Sequence, residues 1–274
     1  MILTPIRQYG AMILMLLTLV FSSEVLAKTH TTTASQKSHL TKASNKQVSS
    51  KQEYSRNSAK SSSLPDLRKY PSGTSRKKAF LRTVMPYITS QNAAITAERN
   101  WLISKQYQGQ WSPAERARLK DIAKRYKVKW SGNTRKIPWN TLLERVDIIP
   151  TSMVATMAAA ESGWGTSKLA RNNNNLFGMK CMKGRCTNAP GKVKGYSQFS
   201  SVKESVSAYV TNLNTHPAYS SFRKSRAQLR KADQEVTATA MIHKLKGYST
   251  KGKSYNNYLF AMYQDNQRLI AAHM

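Results

Sequence analysis

A single carboxylate, Glu161, stands in the last turn of a predicted alanine-rich helix that begins after Pro150 and stops at Gly163. Glycine is typical of the position just past a helix end. The negative end of the helix dipole and the neighbouring Trp164 both disfavour an ionised carboxylate, so we predict a raised pKa for Glu161. A carboxylic acid that stays partly protonated near neutral pH can protonate the oxygen of a leaving group.

The first 27 residues have the layout of an export signal. Arg7 is followed by an apolar run over 11–21 and by Val25-Leu26-Ala27, which fits a cleavage site. The apolar run is too short to span a bilayer comfortably. We therefore predict a signal peptide over 1–27 and a periplasmic or exported protein. The alternative is an uncleaved segment that keeps the protein associated with the membrane.

The chain is strongly basic, with a formal net charge of +31. Such a charge indicates nucleic acid or an anionic surface as the partner, or a solvated basic surface with no specific partner. Export argues against nucleic acid, which we do not expect as a partner. Residues 28–75 are rich in Ser, Thr and Lys and lack apolar periodicity, so we predict a disordered basic linker. Its charge suits an anionic cell-wall or membrane surface.

A mainly helical pattern follows the linker. Residues 76–139 are predicted to form a helical N-terminal subdomain, in which Pro86 should kink or break the first helix and a second helix should cover about 93–107. Ser112, with Glu115 three residues later, marks a further helix start. These helices are expected to pack against the helix that carries Glu161.

A small β element interrupts the helical pattern after Glu161. Short strands are predicted over 176–180 and 193–199, which together give a β-hairpin lobe over 176–199. Cys181 and Cys186 lie within it, and their spacing in an oxidising compartment favours a disulfide. A zinc site would need two further ligands that the nearby sequence lacks, so no metal and no cofactor are expected.

Two motifs in order resemble those of a known enzyme family. Ala159–Gly165 reads Ala-Ala-Glu-Ser-Gly-Trp-Gly, and 174–180 reads Asn-Asn-Leu-Phe-Gly-Met-Lys. Together they resemble the signatures of bacterial endo-β-N-acetylglucosaminidases, which include autolysins and a flagellar peptidoglycan hydrolase domain. The resemblance extends over about 140–265, so we assign 140–274 to a glucosaminidase-like domain. It implies an α+β lysozyme-like fold and hydrolysis of the β-1,4 bond after N-acetylglucosamine in peptidoglycan glycan strands.

The resemblance also implies roles for individual residues. Glu161 matches the catalytic acid. The positions that match or suit sugar-binding residues are Trp164, Asn175, Phe177, Tyr219, Tyr248 and Tyr255. Aromatic faces offer flat apolar area to sugar rings. Trp164 and Phe177 could equally be core residues, and the last two tyrosines could be ordinary surface residues.

One departure from the family bears on the mechanism. Family members often carry a second acid in the β lobe, but 180–199 contains no Asp or Glu. We therefore expect a one-acid mechanism, in which the substrate's acetamido group or a positioned water attacks the sugar carbon. The alternatives are a lytic transglycosylase that cleaves after N-acetylmuramic acid, and a non-catalytic wall-binding protein.

Overall fold

The computed structural model describes residues 63–274 except 182–185, 187–188, 247 and 249–251. The predicted signal peptide and most of the predicted linker lie outside the described residues. No helix in the described part of the chain is long and apolar enough to cross a lipid bilayer. The helices are α1 Thr74–Ser104, α2 Pro113–Arg125, α3 Trp139–Arg145, α4 Thr151–Ser162, α5 Lys168–Asn173, α6 Val202–Thr215, α7 Ser220–Lys231, α8 Ala238–Ile242 and α9 Lys253–Ala271.

The mainly helical fold class is therefore confirmed, but the predicted break at Pro86 is wrong. Helix α1 runs through Pro86 and replaces the separate helix expected over 93–107. Pro86 is exposed, whereas Phe80, Ile88 and Ile95 on the same helix are buried. A proline inside a helix costs about 3 kcal/mol. Each buried apolar side chain contributes about 1.5–3 kcal/mol, so the continuous apolar face outweighs the proline.

Residues 63–75, which the sequence assigned to the linker, are packed against the helical core. Leu64 and Leu67 are buried, and a short 3₁₀ helix covers Leu67–Lys69. The Leu64 N–H donates to the Asn174 side chain at 3.2 Å. The two leucines are separated by charged and proline residues, so apolar periodicity does not reveal this segment. Burial of the two leucines and this hydrogen bond both stabilise the packed position of the segment.

Helix α4, which carries Glu161, lies at the centre of the fold between α1 and α9. Its residues are small or apolar, and most of them, from Met153 to Ala159, are buried. Alanine side chains allow neighbouring helices to approach closely, which explains why this helix can be enclosed on several sides. Gly163 ends the helix in the left-handed region at φ 57°, as its position in the sequence predicted.

A buried charged cluster fixes the chain that leads into α4. Asp147 is 2% exposed and lies 3.0 Å from Arg230 and 3.7 Å from Arg226, measured between the charged atoms. The fully buried Arg226 also donates to the backbone carbonyls of Glu144 and Ile148. Burial is the main cause that lowers the pKa of Arg226 to about 10. Removing one partner of such a buried network costs about 3–5 kcal/mol.

The predicted β-hairpin lobe is reduced to two isolated antiparallel bridges among the described residues, Lys180 with Tyr196 and Cys186 with Ser197. Gly195 has a φ of +78°, which interrupts an extended strand. The Asn173 side chain bonds the backbone of Val193, and the Asn175 side chain bonds that of Met179 and Ser197, so these two asparagines hold the segments in place. The predicted disulfide between Cys181 and Cys186 is confirmed.

Candidate active site

An open cleft of about 600 Å³ contains Glu161. This volume falls within the range of cavities that bind small ligands. Phe177 and four tyrosines line it together with charged and polar side chains. The described residues that line the cleft are Lys127, Glu161, Phe177, Gly178, Met179, Lys180, Cys181, Tyr209, Asn212, His216, Tyr219, Tyr248 and Tyr255.

Glu161 occupies the last turn of α4 and is half-buried. Burial is the main cause that raises the pKa of Glu161, and the hydrogen bond from Tyr255 acts in the opposite direction. The Tyr255 hydroxyl donates this bond to Oε1. A Cβ atom at Gly178 would lie only 3.3 Å from Oε2. A glycine at this position therefore leaves one carboxylate oxygen accessible from the cleft.

The aromatic wall is built from three parts of the chain. Phe177 stacks on Tyr209 with parallel rings 3.9 Å apart, and Tyr248 stacks on Tyr255 at 5.5 Å. The two pairs meet where the Tyr209 ring lies 6.4 Å from that of Tyr248, and the Tyr219 ring lies 6.2 Å from Tyr248 as well. Burial is the largest cause that raises the pKa of each of these tyrosines. Their hydroxyls therefore stay protonated near neutral pH.

Four of the six predicted sugar-binding residues thus lie together with Glu161, and the other two lie elsewhere. Asn175 is 1% exposed, and its amide bonds the backbone of Met179 and Ser197. It holds the wall of the cleft without lining it. The Trp164 ring packs edge-to-face on Phe80, with centroids 5.6 Å apart, and is not among the residues that line the cleft. A direct contact of either residue with sugar stays a prediction.

Sequence reasoning did not find Lys127, Lys180 and Asn212 as residues of the cleft. His216 follows the last residue of α6, and its Nδ1 accepts from the backbone N–H of Ala218 at 3.3 Å. His216 also lines the cleft. Neither Lys127 nor Asn212 lies in a motif, so only the fold brings them to Glu161.

No second carboxylate accompanies Glu161 among the described residues that line the cleft. Asp147 is engaged by arginines, and Glu204 accepts hydrogen bonds from Ser200 at the start of α6. In the described ranges, no group of three His, Cys, Asp or Glu side chains is placed to hold a metal ion. The arrangement provides one acid, whose pKa is raised by burial and which accepts a hydrogen bond from a tyrosine, in a cleft lined by aromatic side chains.

Comparisons with known proteins agree with this geometry. The model of the family described as mannosyl-glycoprotein endo-beta-N-acetylglucosaminidase matches residues 138–268. The chain is also 99% identical over 274 residues to protein bax of Escherichia coli (strain K12), an alignment that covers 100% of both chains. Residues 138–268 form a domain of the glucosaminidase family. This confirms the resemblance that the two motifs carried.

Membership of the glucosaminidase family indicates an enzyme of the glycosidase type that acts on a glycan. Glu161 and most of the cleft lie inside the matched region, whereas Lys127 lies before it. No solved structure matches the chain.

Proposed function

We propose that the protein is an exported peptidoglycan hydrolase that cleaves the β-1,4 bond after N-acetylglucosamine, with Glu161 as the general acid. This proposal rests mainly on the half-buried Glu161, whose pKa is raised by burial and which lines a cleft together with tyrosines and Phe177. The cleft lies largely within the region that matches the glucosaminidase family. The signal-peptide pattern of residues 1–27 is the basis for export.

In the first step, protonated Glu161 gives its proton to the glycosidic oxygen while the bond from that oxygen to the anomeric carbon breaks. A raised pKa keeps this proton available at a higher pH than an ordinary carboxyl group allows. The hydrogen bond from Tyr255 fixes the orientation of the carboxyl group. It also stabilises the carboxylate that remains after proton transfer.

The second step needs a nucleophile, and no second carboxylate lies among the described lining residues. We propose that the 2-acetamido oxygen of the substrate attacks the anomeric carbon and forms a cyclic oxazolinium ion. Water then adds to that carbon and gives its proton to Glu161, which restores the acid. The products are a new reducing-end N-acetylglucosamine and a free 4-hydroxyl group on the leaving strand. A positioned water that attacks directly would give the same bond cleavage with inverted configuration.

Trp164 and Asn175 support the site without lining the cleft, whereas the partly exposed Tyr219, Tyr248 and Tyr255 provide the surfaces on which sugar rings would stack. Phe177 and Tyr209 are buried, and their stacked pair supports the ring of Tyr248. The basic segment over 28–62 would hold the enzyme near an anionic cell-wall or membrane surface. That surface attraction is long-range and unspecific, so it concentrates the enzyme without selecting the bond.

The decisive experiment is mass spectrometry of the soluble fragments that the purified protein releases from peptidoglycan, compared with a Glu161→Gln variant. Glutamine is close in size to glutamate but cannot donate an acidic proton. We expect fragments with reducing-end N-acetylglucosamine from the natural protein, and a loss of at least about 10²-fold in rate for the variant. Full activity of the variant would refute the role of Glu161.

The same experiment separates the alternatives. A lytic transglycosylase also needs only one acid, so the single carboxylate of the cleft is compatible with it. Anhydromuramyl ends among the fragments would identify that reaction. If no fragments appear while the protein still binds the wall, it is a binding protein that has kept the cleft.

A further inference from the structure

We propose that Lys127 is a specificity-determining residue that contacts a carboxylate of the glycan lying in the cleft. This inference rests on the proposed function, because it concerns the substrate of the same site. Lys127 lies before the region that matches the glucosaminidase family, which begins at residue 138. The cleft therefore combines the acid of the family domain with a cation from the preceding helical region.

The turn after α2 presents Lys127 to the cleft. The N–H of Val128 donates to the carbonyl of Ala123 at 2.8 Å, a pattern that places the intervening residue in the left-handed region. The carbonyl of Lys127 accepts from Arg145 at 2.7 Å. Since Arg145 ends α3 inside the matched region, this bond ties the turn to the family domain.

The backbone conformation of Lys127 favours a different residue. Its φ is +54°, a value at which glycine is preferred and a lysine is strained. Glycine would form this turn with less strain than lysine does, so the turn itself does not require a lysine. Local strain at a residue that lines a cleft is typical of a side chain kept for binding.

The charge of the cleft points to an anionic ligand. Lys127 and Lys180 both line it, and Glu161 is the one acid among its described lining residues. Lys180 donates to the Tyr196 hydroxyl at 3.0 Å and lies over the Tyr196 ring. The ammonium of Lys127, by contrast, forms no hydrogen bond or ion pair with a described residue, and its side chain is exposed to the cleft. It is available for a ligand.

A peptidoglycan strand offers two sources of carboxylate near the glycosidic bonds. One is the lactyl group of N-acetylmuramic acid, which is ionised where the stem peptide has been removed. The other is the stem peptide itself. A neutral polymer of N-acetylglucosamine offers neither, so the contact with Lys127 would distinguish wall glycan from neutral chitin-like glycan.

The test compares three glycan probes: strands without stem peptides, strands with stem peptides, and peptide-free strands whose carboxylates have been converted to neutral methylamides. The measured quantity is kcat/KM for the natural protein and for Lys127→Gly, which relieves the backbone strain and removes the charge. We expect the ratio of kcat/KM on carboxylated strands to that on neutral strands to fall about 5-fold in the variant. Lys127→Arg should keep most of the ratio.

Asp233→Gly is the matched control. Asp233 has a φ of +51° in an equivalent turn after α7, where the N–H of Gln234 donates to the carbonyl of Leu229 at 2.8 Å, and it does not line the cleft. This control should leave the ratio unchanged. A fall confined to peptide-free strands identifies the lactyl carboxylate, and one confined to peptide-bearing strands identifies the stem. An unchanged ratio in Lys127→Gly on both carboxylated probes overturns the proposal.

Failure of the proposed function would look different. If the natural protein cleaves none of the probes, the hydrolase proposal fails, and binding then tests Lys127 independently. Glu161→Gln is compared with the Glu161→Gln, Lys127→Gly double variant for affinity toward the same three probes. A loss of about 5-fold on carboxylated strands alone supports the contact, and it should shrink at high salt. Equal affinities, or no binding by either variant, refute it.

Discussion

A substitution at Gly165 tests most directly whether the 63–70 segment supports α4, the helix that carries Glu161. The φ of Gly165 is +78°, and a Cβ atom at this position would lie 2.6 Å from Leu67 Cδ1 and 3.1 Å from Phe80 Cδ2. Both neighbours are fully buried, so neither side chain can swing into solvent. The substitution Gly165→Ala therefore forces the 63–70 segment away from the end of α4.

The expected loss of stability has two parts. An L-residue in the left-handed region costs about 1–2 kcal/mol relative to glycine. Displacing packed side chains to admit one methyl group costs about 1–3 kcal/mol. The free energy of unfolding should thus fall by about 2–5 kcal/mol, a large share of the 5–15 kcal/mol that is typical of folded domains.

Urea denaturation followed by circular dichroism measures this loss, and Gly163→Ala is the matched control. Gly163 also has a positive φ, +57°, but a Cβ atom there meets only Thr166 Oγ1, at 3.4 Å, which is an ordinary contact. Gly163→Ala should therefore lose only the backbone part, about 1–2 kcal/mol. If the two variants lose the same free energy, the contact between Gly165 and Leu67 does not constrain the fold, and the reasoning is refuted.

Three further predictions concern the site itself. Tyr255→Phe removes a hydrogen bond that lowers the pKa of Glu161, so the basic limb of the pH–rate profile should move to higher pH. The value of kcat/KM should fall about tenfold. If the basic limb stays at the same pH, the hydrogen bond does not influence the pKa of Glu161. Glu161→Gln should be more stable than the natural protein at pH 7. A raised folded-state pKa means that ionisation of Glu161 destabilises the folded protein once the pH exceeds the pKa of the unfolded state, and glutamine does not ionise. In thermal melts, the difference between the two proteins should therefore vanish below about pH 4, where the carboxyl group is protonated in both states. Asn175→Ala removes three hydrogen bonds to Met179 and Ser197, so the free energy of unfolding should fall by about 3 kcal/mol in urea denaturation. A loss below about 1 kcal/mol would show that water replaces these bonds.

The parts of this fold that follow from local sequence were predicted correctly. Ser112 and Glu115 form the predicted capping box, and Gly163 ends α4 in the left-handed region. Each of these signals acts within one helical turn, so the residues that cause the structure are neighbours in the sequence. The same is true of the disulfide between Cys181 and Cys186.

The errors have a common cause, since they concern features that depend on partners distant in the sequence. Pro86 was expected to break a helix that tertiary burial keeps intact. At the end of α5, Asn173 bonds the backbone of Val193, and Asn174 bonds that of Leu64 and Phe199, although all three partners are distant in the sequence. A polar run gives no periodic signal, so nothing in the sequence indicates which distant backbone groups its amides will satisfy.

The candidate site also depends on residues that precede the region matched by the glucosaminidase family. Helix α1 packs against both α4 and α6, and its Phe80 contacts the ring of Trp164, three residues after Glu161. Leu67 fills the space that Gly165 leaves open. Without these residues, the apolar surface of α4 would face water, and an exposed apolar surface of that kind favours association or unfolding. The position of Glu161 is therefore set jointly by the family domain and by the helices before it, which explains why a residue such as Lys127 can take part in the cleft.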